Sequence, residues 1–73
     1  MNLTDWFPGS VKPVRVGVYQ REYTYGKSKG IHYCYWNGRG WGMGEHSVEQ
    51  AMTHEIDFMV APRQHLPWRG VLK

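Results

Sequence analysis

Ile31-His32-Tyr33-Cys34-Tyr35-Trp36-Asn37-Gly38-Arg39-Gly40-Trp41-Gly42-Met43 is the stretch on which the fold turns. Asn-Gly between two aromatic runs signals a two-residue β-hairpin, because a type I′ turn needs φ > 0 at both central residues and these two types tolerate it best. With Asn37-Gly38 as the loop, Trp36 faces Arg39, Tyr35 faces Gly40, Cys34 faces Trp41, Tyr33 faces Gly42 and His32 faces Met43. Successive strand residues point to opposite faces. Cys34, Trp41, His32 and Met43 therefore share one face, with Cys34 and Trp41 expected in the core. Tyr33 and Tyr35 share the other, opposite glycines over which their rings can lie.

Upstream, Val14, Val16 and Val18 alternate with Arg15, Gly17 and Tyr19, which predicts a first strand over residues 14–21 with its valines facing inward. Tyr23 and Tyr25 extend it briefly before Gly26-Lys27-Ser28-Lys29-Gly30, a polar loop expected to be the most mobile element. Downstream, Ser47-Val48-Glu49-Gln50 has capping-box form, and Val48, Ala51, Met52, Ile56 and Met59 recur at helical spacing. A helix should start near Ser47. Residues 56–60 read equally well as its end or as a short strand before Pro62. At the ends, Asp5-Trp6-Phe7-Pro8-Gly9-Ser10 pairs two rings with a turn signal, and residues 66–72 are too apolar for a free tail. The expected architecture is α+β: one small domain over residues 1–73, with a three-stranded antiparallel sheet in a meander packed against one α-helix. A packed N-terminal arm (1–13) and a C-terminal tail (61–73) complete it.

Composition bounds what this domain can be. A chain of 73 residues buries only roughly 60% of its unfolded surface, so four Trp, five Tyr and two Phe supply apolar area efficiently. At 41% hydrophobic and 21% charged, it lies outside the disordered regime. The single Cys34 permits no intramolecular disulfide, which points to a reducing, cytoplasmic setting. Nothing reads as a signal peptide or a membrane span. The formal charge of +3 is uneven: residues 1–39 hold six Lys/Arg against Asp5 and Glu22, whereas Glu45, Glu49, Glu55 and Asp57 cluster later. An excess of this size fits an ordinary surface and also permits contact with nucleic acid or an acidic protein.

No catalytic set can be assembled from spacing. The four histidines form no HxxxH or HExxH pattern with each other or with Cys34, so neither a metal nor another cofactor is expected. Cys34, mid-strand across from a tryptophan, reads as a small buried hydrophobe rather than a nucleophile. The later carboxylates read as the solvated face of a helix. Gly38, Gly40, Gly42 and Gly44 lack the Lys-Ser/Thr of a phosphate loop.

Trp6-Phe7-Pro8-Gly9-Ser10-Val11-Lys12-Pro13-Val14-Arg15-Val16-Gly17-Val18-Tyr19, with Tyr35-Trp36-Asn37-Gly38 and Leu66-Pro67-Trp68-Arg69-Gly70, resembles small proteins of unassigned activity encoded by bacteriophages and prophages. The resemblance spans most of the chain. It implies a bacterial or phage cytoplasmic setting, carries no functional residues over, and brings in host proteins as partners. The expected function is a non-catalytic binding module that contacts a host or phage protein, anchored by Tyr33, Tyr35, Trp36 and Arg39 beside Arg15 and Arg21. The alternative is a nucleic-acid-binding module using that aromatic face with Lys12, Arg15, Arg21, Lys27 and Lys29. Both need the tyrosine face open. The competing arrangement has the arm or Pro67-Trp68 cover it as a second small core. An unpaired sheet edge would also allow a homo-oligomer.

Overall fold

The computed structural model describes the backbone of residues 2–72 and the side chains of residues 3–70. Its central element is a long hairpin: strands β2 (Gly17–Tyr25) and β3 (Ser28–Trp36) pair along their full length, with Tyr25 opposite Ser28 across Gly26-Lys27. Gly26 sits at φ +60 and Lys27 has no positive φ. This is the glycine-first form of the two-residue hairpin, whose twist matches its strands. The stretch expected as a mobile loop is therefore the turn that sets the sheet.

Strand β4 (Trp68–Leu72) lies on the other side of β2, with Tyr19 opposite Gly70 and Arg21 opposite Trp68. The two-residue β1 (Asn2–Leu3) lines its outer edge, so the order is β1-β4-β2-β3. The fold is α+β, with the three-stranded antiparallel sheet β4-β2-β3 packed against one short helix, α1 (Val48–Met52), which continues as a 3₁₀ turn over Thr53–Glu55. None of these helices is long and apolar enough to cross a membrane.

The third strand lies on the β2 side of the hairpin, and no strand follows Asn37-Gly38, whose turn is not type I′. Only Gly38 has positive φ, at +96. The Asn37 side-chain oxygen accepts from the Arg39 and Gly40 amides at 2.8 and 2.9 Å, holding a four-residue loop over 37–40. Trp36 consequently bridges Trp41, and Tyr33 bridges Glu45. An even shift of register preserves the face, so Trp41 still lies with Cys34, but Arg39 no longer faces Trp36 and Tyr35 now meets Gly42. Residues 39–43 make isolated bridges in place of a strand.

Alternation places Tyr19, Arg21 and Tyr23 of β2, Cys34 and Trp36 of β3, and Trp68 of β4 on one face, where Trp41 and Ala61 close the core. Tyr19 meets Trp41 and Trp68 edge-on, at 5.7 and 5.2 Å between centroids, and Trp36 lies 5.0 Å from Trp41. Edge-on and offset contacts suit the quadrupoles of these rings. The arm is docked on the same core: Phe7 stacks on Trp68 at 4.7 Å, and the Trp68 indole donates to the Val11 carbonyl at 2.6 Å.

Two sequence expectations fail for local reasons. Gly17, at φ +154, separates Val16 from Val18 and is where the strand begins, so the valine alternation ahead of it has no sheet to face. Val14 is 98% exposed and Val16 55%. The helix starts as expected, with the Ser47 hydroxyl accepting from the Gln50 amide at 3.1 Å, while the Gln50 side chain accepts from the His46 amide. It stops after one turn of α and one of 3₁₀, leaving Ile56 94% exposed and Met59 outside it. Residues 56–60 are neither helix nor strand, although Val60 bridges Gly42 and the Met43 amide donates to the Met59 carbonyl at 2.8 Å.

Candidate functional site

The six residues expected to form a binding face are dispersed. Tyr35, Trp36 and Arg21 are buried, Tyr33 is half-buried, and only Arg15 and Arg39 are exposed. Trp36 and Arg21 belong to the core face. Tyr35 lies on the opposite face, where its backbone partner Gly42 sits so close beneath His54 and Phe58 that a Cβ there would meet both at 3.3 Å. With α1 packed on β3 and β2, the helical segment covers this face. Of the covers expected from sequence, Trp68 and the arm's Phe7 lie on the core instead, and the arm reaches this face only through Trp6.

What remains of the tyrosine face is already cross-linked. The Gln20 amide group donates to the Tyr33 hydroxyl at 3.3 Å, the Arg69 Nε donates to Gln20 Oε1 at 2.8 Å, and the Arg69 guanidinium lies 4.5 Å from the Trp6 ring. This chain runs from β3 across β2 and β4 to the arm. Gln20 and Arg69 were not legible as participants, because nothing in their local sequence marks a contact 49 residues away.

Arg21 is fully buried and forms no ion pair among the described residues. Its guanidinium donates to the Arg63 carbonyl at 2.7 Å and to the Tyr23 hydroxyl at 3.4 Å, and lies 4.8 Å from the Trp41 ring. The π face and a carbonyl stand in for a carboxylate. Beside it, Tyr23 and Cys34 approach within 3.5 Å. Burial pushes the Cys34 thiol above its usual range, against the opposing pull of Tyr23 and Arg21, and burial with the Cys34 contact pushes the Tyr23 phenol up as well. A thiol held protonated and out of solvent is a poor nucleophile.

His54 is equally committed. Its Nδ1 accepts from the Met59 amide at 3.2 Å, so the ring proton sits on Nε2 and is donated to Glu45 Oε2 at 2.8 Å. With both nitrogens engaged, the ring fastens the 3₁₀ turn to residue 45 and has no free position for a substrate proton. Among the described residues, no three His, Cys, Asp or Glu side chains are grouped to hold a metal ion.

One surface combines exposed cations with exposed apolar side chains. Lys12 and Arg39 line a cleft of about 130 Å³ floored by Trp36 and Trp41. Val16 lies against the 37–40 loop, its Cγ2 3.6 Å from where a Cβ on Gly38 would be. The Tyr19 hydroxyl fixes the backbone here by donating to the Arg15 carbonyl at 2.6 Å. Lys12, Arg39 and Val16 thus form a basic, partly apolar patch where the arm meets the 37–40 loop, and exposed Val14 and Arg15 adjoin it in sequence. The chain matches no family model, no curated protein and no solved structure. The patch's chemistry is therefore the guide to its use: its cations complement carboxylates, and its valines lose unfavourable hydration when covered. Arg15 and Arg39 are exposed as their sequence predicts, whereas Val14 and Val16, expected to face inward, are exposed too.

Proposed function

We propose that the protein is a non-catalytic binding module of phage or prophage origin, working in a bacterial cytoplasm through contact with another protein. The observation that carries this reading is the near-complete exposure of Val14 and the half-exposure of Val16 in the segment next to the Lys12/Arg39 cleft. Apolar centres with charged rims are how protein interfaces are built. The partner surface would be apolar with an acidic rim.

The nucleic-acid reading keeps one supporting observation, five exposed cations (Lys12, Arg15, Lys27, Arg39 and Arg63) with no carboxylate partner among the described residues. The rings expected to stack bases are withdrawn from solvent, because Tyr35 and Trp36 are buried. The deciding experiment is affinity purification of the tagged protein from its bacterial host, with and without nuclease, alongside a folded Val14→Asp/Arg39→Glu variant. A nuclease-resistant protein partner lost by the variant supports the proposal. A partner that depends on nucleic acid, or one the variant retains, refutes it.

A further inference from the structure

A second recognition feature lies at the opposite end of the hairpin, independent of the basic patch. In an antiparallel hairpin with a two-residue turn, the residues flanking the turn exchange hydrogen bonds, and alternate residues thereafter direct both backbone groups outward. With Tyr25 opposite Ser28, the outward residues of β3 are Lys29, Ile31, Tyr33 and Tyr35. The last two confirm it: Tyr33 exchanges bonds with Glu45 at 2.9 and 2.8 Å, and the Tyr35 carbonyl accepts from Gly42. The covering segment then turns away into the helix at Ser47. Lys29 and Ile31 are left with outward amides and carbonyls that have no backbone partner among the described residues.

Beside this open edge is a cleft of about 180 Å³ lined by Tyr23, Tyr25, His32, Met43, Gly44 and Pro62. Its walls are rings: Tyr23 meets His32 edge-on at 4.9 Å, and Tyr25 stands nearly parallel to Tyr23 at 6.3 Å. The Tyr25 ring lies over Gly30, where a Cβ would come within 3.0 Å of it. The wall's hydroxyls are already engaged, Tyr23 with Cys34 and Tyr25 with His32, so the cleft presents apolar surface to a guest. A cationic guest is disfavoured, because Arg21 stands 5.5 Å behind Tyr23 and Arg63 is held to the Thr24 carbonyl at 3.2 Å.

We propose that the β3 edge at Lys29–Ile31 and the Tyr23/Tyr25/His32/Met43 cleft together form a strand-addition site for an extended, acidic segment of a partner protein carrying one large apolar residue. The segment's backbone would pair with Lys29 and Ile31. Its residue on the His32 side would fill the cleft, and its carboxylates, on the opposite face, would meet exposed Lys27 and Lys29, sharing Lys29 with Glu22 at 3.8 Å. Charge selects this occupant over a second copy. Two β3 edges paired about Gly30 would set their Lys29 side chains as diagonal neighbours on one face, a like-charge approach that each Glu22, 3.8 Å from its own Lys29, offsets only in part.

The test uses the full ¹⁵N-labelled protein and the blocked heptapeptide Thr-Thr-Glu-Trp-Glu-Thr-Thr, with a Lys-for-Glu version as control. The expected result is saturable shifts at Lys29, Ile31 and Tyr25, and weaker binding of the lysine peptide. Ile31→Pro removes one outward N–H donor at an edge position where proline is tolerated, and should weaken binding roughly tenfold with the spectrum otherwise preserved. Tyr25→Ala, at a half-exposed ring, is a second variant expected to weaken binding. No binding at millimolar peptide, equal binding by both variants, or shifts confined to Lys12 and Arg39 would each overturn the proposal. Edge shifts that depend on protein concentration alone would assign the edge to a second copy and overturn it too.

Discussion

Replacing Arg21 by methionine should be tolerated better than replacing it by lysine, although lysine keeps the charge. The side chain is fully buried, with a carbonyl at 2.7 Å, a phenol at 3.4 Å and the Trp41 ring at 4.8 Å as its main partners. Lysine retains the desolvation cost but loses the planar fit to the ring, about 2 kcal/mol for a desolvated cation–π contact. Its three donors would then share two good acceptors. A cost of about 3 kcal/mol follows, a large share of the roughly 4–11 kcal/mol expected for a domain of this length. Methionine forfeits the same ring contact and about 1 kcal/mol of hydrogen bonding, but removes a desolvation penalty of several kcal/mol and regains a sulfur–aromatic contact of about 1 kcal/mol. Its net change should lie within about 1 kcal/mol of zero on these terms. Urea denaturation at pH 7, followed by tryptophan fluorescence, measures both variants. If methionine costs more than about 3 kcal/mol while lysine is nearly neutral, the charge itself is being stabilised and the reasoning is wrong.

The raised Cys34 and Tyr23 groups make stability fall at high pH: the unfolded chain loses the thiol proton near pH 9.0 and the phenol proton near pH 10.0, while the fold retains both. The decline should begin near pH 9, at up to about 1.4 kcal/mol per pH unit for each group, and Cys34→Ala should delay its onset, as read by denaturation between pH 7 and 11. Cys34 should resist iodoacetamide in the native protein and react only as fast as the domain opens, which quenched labelling followed by mass spectrometry tests; prompt native labelling would contradict its burial. Gly9→Ala should undock the arm, because a Cβ would lie 2.2 Å from the His65 carbonyl oxygen. Hydrogen exchange should then accelerate at the Phe7 and Trp68 amides, which bond each other's carbonyls at 2.8 and 3.1 Å.

What could be read from the chain was what local chemistry decides. Ser47 caps a helix because its hydroxyl and the Gln50 amide are three residues apart, and Cys34 and Trp41 reach the core because parity survives an even register shift. The hairpin was assigned to the wrong turn because Asn37 has two uses: it tolerates positive φ, but its side chain can also take two amides and widen the loop. Gly26-Lys27, a weaker signal, was the true turn. The valine run misled because period two implies an interior only where a sheet exists, and Gly17 ends the sheet before Val16. The burial of Arg21 was illegible for a different reason: its partners Arg63 and Trp41 are set by tertiary packing, and its neighbours Gln20 and Glu22 look like any polar strand surface. Of the candidate site, the exposed arginines were found, whereas the valines between them were identified only by their exposure.

Strand β4 slots between β1 and β2, so the last strand in the chain is flanked by the first and second. During synthesis the β2–β3 hairpin can close early, but the inner edge of β2 and the ring of Trp41 wait for Trp68. The pairing of Asn2 with Leu72 closes nearly the whole chain into one loop, a non-local contact of the kind that slows folding. A nascent chain stalled short of residue 68 would thus present an open sheet edge and an uncovered aromatic core to chaperones, and the domain would form in a single late step as its final strand arrives.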